Sequence, residues 1–238
     1  MFKIDLHVHT ALGGDSILKP HELVSRARQV GLDAVCVTEH HSSFLSDPLK
    51  KISTETGFPV FQGLEYRAME GHLLIFGLKI GQSDLLKGLP MQWTIDWVQK
   101  RGGVAIPAHP YQRDTLNGFL GDKVMEIEHI PALEALNASL SARENHLALK
   151  AANHLGIKGI GGSDAHGPSV LGRAYTLFPD LIRSDEELVQ ALRSGEYAPC
   201  WNDTFYGMDR PAHWQDQGTL QDPNLTSILQ LPPARRPE

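Results

Sequence analysis

The chain opens on strict alternation. Between positions 4 and 9 the apolar residues Ile4, Leu6 and Val8 exchange places with Asp5, His7 and His9. That is the period of a β-strand, and it puts Asp5, His7 and His9 on one face. The strand runs into a loop containing Gly13-Gly14 and Asp15. The period then changes. Leu23, Val24, Ala27 and Val30 form the single apolar stripe of a helix, with Pro20 in its first turn, where a missing N–H costs nothing, and Gly31 as its stop. A short apolar strand at 34–38 follows. The alternation of apolar run and helical stripe then recurs: strands at 58–64, 72–78, 104–108, 133–137, 157–162, 174–178 and 196–201, a helix at 93–101, a long helix capped by Ser139 or Ser141 and stopped by Gly156, and a helix opened by Ser184-Asp185-Glu186-Glu187. Residues 42–51 and 113–122 read as loops. Strand–helix–strand repetition predicts an α/β fold with parallel strands over residues 1–202. From 203 to 238 the pattern dissolves, and the Pro-rich end reads as an irregular or partly disordered tail.

The polar residues at the ends of these strands change the picture. Five strands run out into metal-type ligands: Asp5/His7/His9, His40, Glu65, His109 and Asp164/His166, while His72 begins a sixth. In parallel α/β proteins the carboxyl ends of the strands share one face, so such residues converge. Histidine nitrogen with carboxylate oxygen suits zinc, iron or manganese. The set exceeds what one ion needs, and a bridging carboxylate such as Glu65 would let two ions sit ~3.5–4 Å apart. A His-x-His pair alone carries little; the ordered series of strand ends carries the inference.

Composition narrows the classes. A chain of 238 residues with 41% apolar and 21% charged residues can bury one large core. A net charge of −6 argues against an extended nucleic-acid surface. No stretch is apolar enough to span a membrane, and a strand at the outset leaves no room for a signal peptide. Cys36 and Cys200 lack a CxxC spacing, so a reduced, cytoplasmic protein is expected. Oligomeric state is not readable.

The ordered set Asp5-x-His7-x-His9, Asp15, Glu39-His40, Gly63-x-Glu65, His72, His109-Pro110 and Gly162-Ser163-Asp164-Ala165-His166 resembles the PHP family, named for polymerase and histidinol phosphatase. The resemblance covers residues 2 to about 178. It implies a distorted (β/α)7 TIM-like barrel with a bi- or trinuclear centre. His7, His9, Glu65 and Asp164 would hold one ion; Glu65 would bridge to a second held by His72 and His109; Asp15, His40 and His166 would hold or flank a third. Many members carry Asp-His where this chain has Glu39-His40, which makes Glu39 a residue that orients a ligand.

These readings together predict a metal-dependent phosphoesterase cleaving a small phosphomonoester, with nucleotides and oligonucleotide ends among the candidates, by attack of a hydroxide bridging two or three divalent ions (Zn, Mn or Fe). Asp164, His40 and His166 are the expected catalytic residues, the histidines as acids for the leaving group. Arg173, then Arg143, are the expected phosphate forks, with Arg113 a weaker third. The alternative is an amidohydrolase-like enzyme cleaving a C–N bond.

Overall fold

The computed structural model describes residues 1–113 and 120–206. The chain divides into two compact units, Met1–Thr204 and Phe205–Glu238; the first is described below, and most of the expected tail lies outside the described residues. In chain order its elements are β1 (Phe2–Val8), α1 (Pro20–Gln29), β2 (Ala34–Val37), α2 (Leu49–Thr56), β3 (Val60–Arg67), β4 (His72–Phe76), α3 (Met91–Lys100), β5 (Val104–Pro107), β6 (Ala132–Asn137), α4 (Ala142–Leu155), β7 (Lys158–Gly162), β8 (Ala174–Phe178), α5 (Asp185–Ser194) and β9 (Ala198–Trp201). The helix signals act as expected. Pro20 opens α1, Ser141 rather than Ser139 caps α4 in a reciprocal capping box with Glu144, and Ser184 caps α5. The segment read as a loop at 42–51 is instead a 3-10 turn, Ser43–Ser46, followed by the start of α2. The turn is nucleated by Ser42, whose hydroxyl accepts from Phe44 N.

The architecture is mixed α/β with a curled sheet, so the distorted (β/α)7 barrel implied by the resemblance is met in part: the sheet is open and not all of its strands are parallel. Seven strands make an open sheet in the order β5-β4-β3-β2-β1-β8-β9, and β6 pairs with β7 separately. β1, β2 and β3 are parallel, but β4 and β8 run against their neighbours. The reason for β4 is local: residues 68–71 are too few for a helical crossover, so the chain turns back as a hairpin. The two-stranded sheet meets the larger one at its outgoing end, where Asp164 N donates to His7 O (2.8 Å) and His9 N to Ala165 O (3.0 Å).

The core lies on both faces. Ile4, Leu6, Ala34, Cys36, Phe61, Leu74, Phe76 and Ile106 pack inside the curled sheet with Leu188, Val189 and Leu192 of α5. Leu64, Leu73, Ile75 and Ala105 pack outside, beneath α3 and α4. The register of β1 against β2 slips between Asp5 and Val8. That irregularity corrects the strict alternation. Ile4 and Leu6 fill the inner core, yet His7 and His9 reach Glu65, whose cross-strand partner Leu74 is also inside. A bulge of this kind re-aims side chains within one strand. Asp5 is turned elsewhere: its buried carboxylate accepts from Ser163 N (2.8 Å), Gly172 N (2.9 Å) and His7 N (3.3 Å), tying β1 to the segments around β7 and β8.

Candidate metal centre

Three strand ends, those of β1, β3 and β7, place the innermost group. His7 Nε2 and His9 Nε2 lie 3.2 Å apart and both face Glu65 Oε2, at 3.2 and 3.0 Å. Asp164 Oδ1 stands 3.5 and 3.6 Å from the same two nitrogens. All four residues are buried. The other oxygen of Glu65 serves a second group: Oε1 is 2.7 Å from His72 Nδ1 and 2.9 Å from His109 Nε2. The reversal of β4 explains how a residue at the start of a strand arrives here, since His72 pairs with Arg67, the last residue of β3. A third group sits at the opening. Asp15 Oδ2 is 3.3 Å from His40 Nε2 and 3.7 Å from His166 Nε2, and His40 Nδ1 is 3.3 Å from Glu65 Oε2. Within each group the donor atoms lie within 4.8 Å of one another: His7, His9, Glu65 and Asp164; Glu65, His72 and His109; His9, Asp15, His40 and His166. The nine donors expected from the sequence are therefore together. The side chains of Asp15 and His166 are 36% and 41% exposed, so the third group faces solvent while the first two are enclosed.

Carboxylates behind the histidines set their orientation. His7 Nδ1 donates to Glu134 Oε1 at 2.9 Å, leaving Nε2 for the inner group. Glu134 Oε2 accepts from His109 N (2.7 Å) and Asn137 Nδ2 (3.1 Å), and Asn137 Nδ2 also donates to Asp164 Oδ2 (3.3 Å). His7, His109 and Glu134 lie close enough to suggest a further metal group. The His7 Nδ1–Glu134 bond argues that Glu134 is a support instead, because one imidazole would otherwise need both nitrogens unprotonated. The signal for Glu134 in the sequence is a carboxylate set within the apolar run Leu133-Ala135-Leu136. On the other side, Glu39 Oε1 accepts from Thr10 N and Oγ1, and its Oε2 stands 4.0 Å from His9 Nδ1. Both of those last atoms are buried without a partner among the described residues. Gly162 permits the crowding, since a Cβ there would come 2.5 Å from the Cβ of His7.

The site carries strain and charge. Of the non-glycine residues described, four have positive φ: His41 (71°), His109 (28°), Asp164 (52°) and His129 (59°). Two of these are donors and His41 adjoins a third, the clustering expected where function over-determines the backbone. Burial pushes the His7 ring toward neutrality, but Asp164, Glu134 and Glu65 outweigh it and hold its pKa well above the imidazole range. Burial likewise raises Glu65, and the His7 charge with hydrogen bonds from His109, His7 and His72 overrides it and keeps the carboxyl ionised. For His40 burial prevails, aided by His9 and His72 against Glu65 and Asp15, and takes it down to about 4. His41 is lowered by burial first, then by Lys87 and His72.

The donor set fits divalent cations. Two ring nitrogens 3.2 Å apart converge on one oxygen of a buried carboxylate, and buried carboxylates call for a compensating positive charge. Of the expected substrate arginines, Arg173 Nε donates to Ser169 O (3.0 Å), and Arg143 is exposed in the first turn of α4. Arg113 N is 3.4 Å from Glu144 Oε1.

Residues 142–197 match the family described as PHP-associated. An uncharacterised protein of Methanocaldococcus jannaschii is 31% identical over 146 residues, 57% of this chain and 82% of that one. Among solved structures, a two-domain Bacteroides vulgatus protein containing a predicted PHP-like metal-dependent phosphoesterase superposes with a TM-score of 0.65 at 22% identity, over 85% of this chain and 65% of that one. The chain thus spans less than two thirds of that two-domain protein. An amidohydrolase from Chromobacterium violaceum, solved with bound sulfate and no metal, superposes with a TM-score of 0.59 at 16% identity, over 79% and 96% of the two chains. The two structural likenesses speak for the fold. With the PHP-associated match and a relative covered over 82% of its length at 31% identity, the chain belongs to the PHP family.

Proposed function

We propose that this protein is a metal-dependent hydrolase that cleaves a small phosphomonoester. The observation that carries the reading is Glu65: its two carboxylate oxygens face two separate sets of buried imidazoles, one toward His7 and His9, the other toward His72 and His109. His7, His9, Glu65 and Asp164 would hold one ion, Glu65, His72 and His109 a second, and Asp15, His40 and His166, with His9, a third. When bound, zinc, manganese or iron ions at such a site activate water at neutral pH and neutralise charge on the phosphoryl oxygens. The chain's own residues do the rest. Glu134 fixes His7 in one tautomer, and Asn137 orients Asp164. Where the third ion is absent, His166, 41% exposed beside Asp15, would be placed to give a proton to a departing alkoxide at its Nε2, with His40 the second candidate. Arg173, and behind it Arg143, are proposed to meet the phosphate from the rim.

The test is phosphate release from an aryl phosphate by metal-loaded protein. Asp164→Ala or His9→Ala should abolish it, and His166→Ala should slow it most for substrates with poor leaving groups. The amidohydrolase-like neighbour keeps C–N bond hydrolysis as the second reading. Turnover of amides or ureas with no phosphate released from any ester would put it first.

A further inference from the structure

The loop that carries Asp15 rests on a carboxylate that belongs to none of the donor groups. Glu39 is wholly buried beside His40, and its Oε1 accepts from Thr10 N (3.1 Å) and Thr10 Oγ1 at the start of that loop. Thr10 then shapes the turn: its carbonyl accepts from Gly13 N (3.1 Å) and its hydroxyl from Leu12 N (3.3 Å). The far end of the loop is tied down as well, since Ser16 Oγ donates to His9 O (3.0 Å) and Ile17 N to His166 O (3.0 Å). Asp15 stands between these anchors. Gly13 lies directly against the same carboxylate: a Cβ there would come 2.3 Å from Glu39 Oε2 and 3.1 Å from Asp15 Oδ1. The other edge of Glu39 faces a histidine. Oε2 is 4.0 Å from His9 Nδ1, both atoms are buried, and neither has a partner among the described residues. His9 Nε2 points at His7 and Glu65. Nδ1 is therefore the nitrogen left to carry the neutral ring's proton, and Glu39 Oε2 is the acceptor in front of it. Closing that gap by about 1 Å makes a hydrogen bond and satisfies both orphans at once.

We propose that Glu39 is the positioning residue of the third donor group. Its Oε1 seats the loop that brings Asp15 to His40 and His166, and its Oε2 holds His9 as the Nδ1–H tautomer, with Nε2 left for an ion. The exposed group then has no frame of its own: Asp15 is placed through Thr10 and Gly13, His9 through its ring, and His40 by adjoining Glu39 in the chain. This assignment rests on the metal-dependent reading of the site and holds whichever bond is cleaved. It accounts for two buried orphan atoms that face each other, and for a glycine at 13, where the carboxylate leaves no room for a side chain.

Manganese is the probe. The ions held per chain are counted by equilibrium dialysis and elemental analysis on wild type, Gly13→Ala, Glu39→Ala and the double variant, with Tm measured on each. Of the glycine pair only Gly14 has positive φ (90°), so Gly13→Ala is opposed by the contact alone. Wild type should hold a third ion more weakly than the inner two. Gly13→Ala should weaken that third ion about tenfold or more and leave the inner two in place. Glu39→Ala should weaken it by as much. In the Glu39→Ala background the glycine change should cost little more, because the atom it strikes is gone. Glu39→Gln keeps the volume and the acceptor for Thr10 but turns an amide donor toward His9 Nδ1; it should fold like wild type and loosen the ions that His9 serves. Additive losses in the double variant, a third ion kept at full strength by either single alanine variant, or unchanged affinity in Glu39→Gln would overturn the assignment. So would a wild type that saturates with the inner two, or Gly13→Ala losing every ion together with its Tm. Wild-type protein that binds no manganese, zinc or iron would overturn the metal reading itself.

Discussion

Glu134 shows how one side chain can decide the behaviour of several others. It accepts from His7 Nδ1 with one oxygen and from His109 N and Asn137 Nδ2 with the other, and it is wholly buried. All of its partners are donors. Glu134→Gln keeps the volume but places an NH2 group against at least one of those N–H groups, so His7 loses its anchor or His109 N is left facing a donor. Loss of such a supporting carboxylate lowers metal affinity by about 10–100-fold. The expected result is a folded protein that loses its ions to a competing chelator at a concentration the wild type resists, as read by elemental analysis after dialysis. Equal retention would mean that packing alone, not the carboxylate, holds the His7 ring.

At the scale of elements, the connections decide more than the strands do. Lys79, between β4 and α3, reaches Asp47 Oδ1 at 2.6 Å, just before α2, and Lys50 and Gln62 Nε2 approach the same oxygen at 3.2 Å. The Lys79 bond, chiefly, lowers the Asp47 carboxyl to about 2. The group is depressed, so its contribution is present above the ordinary carboxyl value and is lost as pH falls through about 2. Asp47 is 40% exposed, so screening limits the contribution to about 1 kcal/mol at most. Lys79→Gln should therefore lower Tm slightly at pH 5, with the difference vanishing near pH 2; a gap that persists at pH 2 would mean the lysine acts through packing. None of this cross-link was readable beforehand, because Ser43–Ser46 and α2 are short, their apolar pattern is weak, and a loop was expected. The strands and donors were readable for the opposite reason: each is a short apolar run with its cargo at one end. Two features still escaped. The slip in β1 leaves no mark on a sequence that alternates perfectly, and the reversal of β4 depends on the length of the hairpin at 68–71 rather than on the strand itself. The open sheet, with β6 and β7 paired apart from it, has no mark in the sequence either.

For the molecule as a whole, the metal centre and the stability of the fold should be one equilibrium. The donors come from β1, the loop after it, and the ends of β2, β3, β5 and β7, with the start of β4, so ions that occupy them fasten both sheets where β7 meets β1. Without them, the folded state keeps several carboxylates buried with only imidazoles to compensate their charge. Ions that bind only the folded chain add about 2.7 kcal/mol for a site at one hundred times its Kd, which for a domain of this class is roughly 5–10 °C in Tm. The groups are not equivalent. Glu65 joins two of them and is buried, whereas Asp15 belongs to the exposed third alone. Chelation should lower Tm, and readdition of zinc, manganese or iron should restore it. In Glu65→Gln the metal-dependent rise should be nearly absent, and in Asp15→Asn most of it should survive. A thermal-shift series on the three proteins, with and without chelator, decides the matter: a wild-type Tm indifferent to metal, or a full rise in Glu65→Gln, would separate the donor cluster from the stability of the fold and remove the bridging role from Glu65.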